Sequence, residues 1–170
     1  PSVTSSHFND VPIMRAQEVT AAILEHLATS DVIIANFANA DLVGHTGDFK
    51  ASIQAAEILD ESISQIMNAL SGGDGVMLIT GDHGNIERKR NTISGEPLTE
   101  HSISPVPLYL VGNQFRRPTT PRTDEEIAKQ KKQVEGVLTD IAPTILDLLG
   151  LPKPKEMTGE SLLPILLKQQ

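Results

Sequence analysis

The chain contains no cysteine. Disulfides, thiolate metal sites and cysteine nucleophiles are therefore excluded. Positive charge is scarce: 14 Lys and Arg stand against 22 Asp and Glu, for a formal charge of −8. An acidic domain is a poor phosphate-backbone binder, because nucleic-acid binding draws on clustered Lys and Arg. No apolar run approaches the roughly 20 residues of a membrane span, and no charged start followed by an apolar stretch opens the chain. The sequence reads as a soluble, cytoplasmic protein with neither nucleic acid nor membrane as partner. It also lacks an initiator methionine, beginning at Pro1. Either the start residue is removed ahead of proline or the chain is cut from a longer one.

What is present suits one domain spanning 1–170. Hydrophobic residues make up 39%, enough for a core. Val19, Ala22, Ile23 and Leu27 recur at three-to-four spacing and predict a helix over roughly 15–29. DVIIANF at 31–37 is short, apolar and β-branched, as expected of a strand buried on both faces. Ile53, Ala56, Leu59, Ile63, Ile66, Met67 and Leu70 mark one face of a helix from about 50 to 70, which Ser71-Gly72-Gly73 ends. GVMLIT at 75–80 and VPLYLV at 106–111 predict two further strands, with Pro105 and Pro107 limiting the start of the second. The stretch from Thr123 to Glu135 is equally a helix and a mobile segment, and 113–136 reads as an insertion. TDIAPTILDLLG offers Thr139 as an N-cap and Gly150 as a terminator. Alternating strand and helix patterns predict an α/β domain with a mostly parallel sheet flanked by helices.

In open α/β sheets ligands collect at the carboxyl ends of strands. Asp41 and His45 follow the first expected strand, Asp82 and His83 the second, and His101 precedes the third. Carboxylate and imidazole are the ligands that Mn²⁺ and Zn²⁺ take in cysteine-free sites. Each motif is weak alone, since an aspartate after a strand is as readily a turn residue or a helix cap, the reading weighed evenly for Asp48. Together, and flanked by Gly44, Gly47, Gly81 and Gly84, they are stronger. His7 and His26 read as solvated. Arg88-Lys89-Arg90 and Lys129 to Lys132 read as solvated charged faces. Ser94 and Ser102 sit in no recognisable nucleophile elbow.

The segments NFANADLVGHTGDF, TGDHGN and TEHSISPVPLYLV resemble the cofactor-independent (2,3-bisphosphoglycerate-independent) phosphoglycerate mutase family, of the alkaline phosphatase superfamily. The likeness extends to the opening PSVTSSHFNDVPIMRAQEVTAAIL and to GVLTDIAPTILDLLGLPKPKEMTGESL. The resemblance implies an alkaline-phosphatase-like fold and interconversion of 3-phosphoglycerate and 2-phosphoglycerate through a phosphoserine. It also implies two divalent metals, manganese first with Zn²⁺, Co²⁺ or Mg²⁺ as alternatives, and no 2,3-bisphosphoglycerate requirement. Carried over, Asp41, His45 and His101 hold one metal, and Asp82 and His83 help hold the other.

The family's nucleophilic serine and its aspartate for the second metal have no matching positions here. Nor do its substrate-binding second domain and the lysine preceding the proline-serine loop. Glu100 and Ser104 depart from the residues usual in the family. The expectation is therefore the C-terminal portion of an incomplete domain, inactive alone, whose exposed sheet edge favours self-association. Two other readings stand beside it: a different phosphotransferase or phosphodiesterase of the superfamily, and a non-catalytic metal-binding module.

Overall fold

The computed structural model describes residues 7–116 and 122–168. Two helices form the base of the molecule, α1 (Ala16–His26) and α3 (Phe49–Leu70), with the short α2 (Asn39–Gly44) laid against α3. In α1, Ala16, Thr20 and Ile23 are buried at i, i+4 and i+7, one side of a helix of 3.6 residues per turn. Thr20 returns its hydroxyl to the Ala16 carbonyl at 2.8 Å, so its buried oxygen is satisfied. α3 starts where Asp48, in extended conformation, accepts the Ala51 N–H at 3.0 Å. Asp48 is thus the helix cap that one of its two readings required.

The buried stripe of α3 differs from the expected one. It runs through Ala51, Ser52, Ala55, Ser62 and Ile66, whereas Ile53 and Met67 are exposed. The cause is the close approach of α2. Val43, fully buried, packs on Ala51 and Ala55 with Phe8 at the margin, and only small side chains on α3 leave room for it. Asn39 secures the other side of α2, donating through Nδ2 to the Pro12 and Ile13 carbonyls at 2.7 and 2.9 Å.

The sheet also departs from expectation. Among the described residues it has two strands, β1 (Met77–Thr80) and β2 (Leu108–Val111), and they run antiparallel, with Met77 opposite Val111 and Thr80 opposite Leu108. The segment 31–37 is no strand at all. It makes no ladder with β1 or β2, and Ile34 is 88% exposed. A β-branched run has the propensity for a strand but becomes one only when a neighbour takes its N–H and C=O groups.

Beyond β2, Thr123 and Glu126 form a reciprocal capping box at the start of α4 (Asp124–Gln130), so the first part of 123–135 is helical. No residue of α4 is buried, and Lys129, Lys131 and Lys132 are exposed. The rest of the 113–136 stretch includes 117–121, which lie outside the described residues. α5 (Ile141–Leu148) is entered through a 3-10 turn over Leu138–Asp140 that contains Thr139, so Thr139 is not its cap. Asp140 does the tying instead. It accepts the Val137 and Glu160 N–H groups at 2.9 Å each, which holds its carboxyl below the usual carboxylate range. Gly150, at φ +66°, ends α5 as expected. Its N–H reaches Asp147 O and the Leu151 N–H reaches Leu146 O, the paired bonds of a Schellman motif. α6 (Leu163–Lys168) closes the described chain.

Candidate metal centre

α2 places Asp41 and His45 one turn apart on the same helical face, and a turn after β1 brings in Asp82 and His83. The segment before β2 returns alongside that turn. Ser102 pairs with Gly84 as an isolated antiparallel bridge, its N–H on the Gly84 carbonyl at 2.8 Å. This bridge sets His101 over His83, with ring centroids 3.6 Å apart and planes 19° from parallel.

Asp41 Oδ1 lies 3.1 Å from His101 Nε2 and 3.2 Å from His45 Nε2, and the two imidazole nitrogens are 3.0 Å apart. His83 Nε2 is 3.9 Å from the same carboxylate oxygen. Four of the five expected ligands therefore meet around Asp41 Oδ1. Asp82 stands further out, 88% exposed, with Oδ2 3.6 Å from His83 Nε2. Glu100 is exposed and outside the cluster formed by Asp41, His83 and His101.

The donor set suits a divalent cation. Separations of 3.0–3.2 Å among Asp41, His45 and His101 match the roughly 3.0–3.4 Å between neighbouring ligands when metal bonds are about 2.1 Å long. His45 is also set in the right tautomer. Its Nδ1 lies 2.6 Å from the Thr99 carbonyl, which can only accept, so Nδ1 carries the hydrogen and the Nε2 lone pair faces the cluster. The His83 Nδ1 is buried and has no hydrogen-bond partner among the described residues.

Two side chains around the cluster escape sequence reasoning, Asn85 and Glu87. Asn85 donates through Nδ2 to Asp41 Oδ1 at 2.8 Å. Gly44 permits that approach, since a Cβ there would collide with the Asn85 amide. Glu87 accepts the Asn85 N–H at 2.7 Å and the Ser102 hydroxyl, which also commits Ser102 to a structural bond. Burial works to raise the Glu87 carboxyl, but hydrogen bonds from Ser102, Ser104 and the backbone outweigh it and hold it below the usual range.

Lys89 corrects an expectation: it is no part of a solvated face but is 5% exposed. It lies in an irregular stretch whose charges look uniform in sequence, and no local pattern distinguishes it from Arg88 or Arg90. Elsewhere, His7 and His26 are exposed and stand outside the cluster. No helix among the described residues is long and apolar enough to cross a membrane.

A carboxylate on α2 and three imidazoles, from the end of α2, the turn after β1 and the segment before β2, converge beside a small sheet in an arrangement that could hold a metal ion. Residues 1–153 match the family model of the Metalloenzyme superfamily, and the chain belongs to that superfamily. Within it, the chain is similar to 2,3-bisphosphoglycerate-independent phosphoglycerate mutases. It is 45% identical to that of Desulforudis audaxviator over 96% of this chain and 29% of the relative, and 44% identical to that of Ruegeria pomeroyi over 89% and 28%. A crystal structure of Leishmania mexicana phosphoglycerate mutase at low cobalt concentration superimposes with a TM-score of 0.72 at 32% identity, covering 94% of this chain and 30% of that one. The fold is thus the alkaline-phosphatase-like fold of that mutase, here as helices with a small sheet. The chain spans about 29% of the length of the curated relatives it matches.

Proposed function

We propose that this chain carries the metal centre of a 2,3-bisphosphoglycerate-independent phosphoglycerate mutase, which interconverts 3-phosphoglycerate and 2-phosphoglycerate through a phosphoserine. The convergence of His45 and His101 Nε2 on Asp41 Oδ1 carries the reading, and the mutases similar over nearly the whole chain support it. Asp41, His45 and His101 are the ligands of one ion, and Asp82 and His83 contribute to a second. Manganese is the first choice of metal. Cobalt, present at low concentration with the Leishmania mutase, also suits a site of carboxylate and imidazole. Bound there, divalent cations would neutralise charge on a phosphoryl group in transit and lower the pKa of an attacking alcohol.

The chain's own residues prepare that chemistry. Asp41 supplies the anionic donor and is oriented by the Asn85 amide. Thr99 holds His45 with its lone pair inward. The stacking of His83 on His101 sets the two imidazole planes together, so neither ring turns without displacing the other. The serine nucleophile, the groups that grip phosphoglycerate and the remaining ligand of the second ion belong to the rest of the catalytic apparatus. Residues 113–136 are read as an insertion outside it.

A coupled assay for 2-phosphoglycerate formation tests the proposal. With Mn²⁺ supplied, the complete enzyme containing this chain turns over, a chelator abolishes turnover, and the 170 residues alone give none. Turnover by the isolated chain, or turnover of the complete enzyme insensitive to chelation, would refute it.

A further inference from the structure

Lys89 is a buried ammonium whose three hydrogens all have acceptors: Gly44 O at 2.6 Å, Asn85 Oδ1 at 2.8 Å and Leu98 O at 3.2 Å. Burial lowers its pKa, with the charges of Glu87 and Asp41 opposing that shift. Burying an ammonium is costly unless every donor is paired. The cost here is met at three points, each close in the chain or by one bond to a proposed ligand. Gly44 directly precedes His45. Leu98 directly precedes Thr99, whose carbonyl takes the His45 Nδ1 hydrogen. The Asn85 amide donates to Asp41 twice, to Oδ1 at 2.8 Å and to the backbone carbonyl at 3.3 Å.

The Asn85 contact is directional. An ammonium only donates, so it selects the amide oxygen and turns the amide NH₂ toward Asp41, which only accepts. A neutral apolar side chain at position 89 removes that selection. It also leaves the Gly44 and Leu98 carbonyls without a common donor, loosening both supports of His45.

We infer that Lys89 is a positioning residue of the metal centre, aligning Asp41 through Asn85 and His45 through Gly44 and the Leu98–Thr99 segment. The inference rests on the metal-centre reading above. Lys89 itself touches none of the proposed ligand atoms.

The test is Co²⁺ titration of the 170-residue chain, read by visible absorption, with the thermal midpoint of the metal-free chain recorded alongside. Lys89→Met keeps the length of the side chain and removes the donors. It is expected to weaken Co²⁺ binding about 10–100-fold, the range for groups that orient metal ligands, and to change the Co²⁺ spectrum. Asn85→Ala is expected to weaken binding within the same range, and the double variant to lose less than the product of the two, because both substitutions cut one chain of bonds. Affinity within about threefold of the parent in folded Lys89→Met, or a double loss equal to the product, overturns the positioning role. If Lys89→Met does not fold, Asn85→Ala decides, and parental Co²⁺ affinity there overturns it. If the parent chain gives no Co²⁺ spectrum, or one that His45→Ala leaves unchanged, the metal centre falls and the positioning role with it. Parental binding that depends on His45 but not on Lys89 overturns the positioning role alone.

Discussion

Removing His45 should take away most of the stabilisation that a divalent cation gives the folded chain. The ring supplies one of three donors that stand 3.0–3.2 Å apart, and its tautomer is already set by Thr99. An ion that binds only the folded state stabilises it by RT ln(1 + [L]/Kd), about 2.7 kcal/mol at 100 times Kd. For a chain of this size 1 kcal/mol shifts Tm by about 2–4 °C, so the parent should gain about 5–11 °C. His45→Ala leaves Asp41 and His101 as the near pair. If affinity falls about 100-fold, the same ion concentration now equals Kd and the gain shrinks to about 0.4 kcal/mol, or roughly 1 °C. Scanning calorimetry with and without Mn²⁺ reads this directly. His26→Ala, at the exposed last turn of α1, is the control and should keep the whole rise. A rise in His45→Ala equal to that of the parent refutes the ligand assignment, and so does an equal loss in His26→Ala.

Other substitutions test the packing that carries the site. Thr144 is fully buried, donates to Asp140 O and accepts the Leu162 N–H at 2.8 Å, so Thr144→Val strands that N–H and should cost about 1–3 kcal/mol in urea unfolding. Asp140 has a folded pKa below its ordinary 3.8, because the Val137 and Glu160 N–H groups favour the carboxylate. Its contribution is therefore full above pH 3.8 and lost as pH falls through the lower folded value. The stability gap between the parent and Asp140→Asn should be constant above that pH and narrow below it, and a constant gap through the acid range would contradict the assignment. Ile34→Glu should leave stability within about 0.5 kcal/mol, since Ile34 is almost wholly exposed. It should also shift any self-associated fraction toward monomer in size-exclusion chromatography.

Element positions are largely legible wherever local chemistry settles them. The long helix, its Asp48 start, its Ser-Gly-Gly end and the Gly150 terminator all follow from side-chain capping and glycine geometry within a few residues. The two strands of the sheet lie inside the apolar runs expected of them. The segment 31–37 defeats the same reasoning because strand formation needs a partner, and composition reports only propensity. The face of α3 defeats it for a related reason. The largest apolar residues mark a moment, but the contact with Val43 admits Ala51 and Ala55 in their place.

The five proposed metal ligands can be named from residue types beside expected strand ends and from the resemblance of their motifs. These are properties of linear order, but the D-x-x-x-H spacing puts Asp41 and His45 one turn apart only because the segment folds as α2, where the sequence predicts a loop after a strand. Their mutual geometry comes from tertiary structure. The Gly84–Ser102 bridge brings His101 to His83 across a loop of irregular chain, and no pattern in that loop encodes the register. Lys89 is the sharpest case. In sequence it is the middle of three basic residues, indistinguishable from a solvated charge. Only the fold shows that three acceptors from separate segments meet at one ammonium, and burial with every donor satisfied is a property of that meeting, absent from any single stretch of chain.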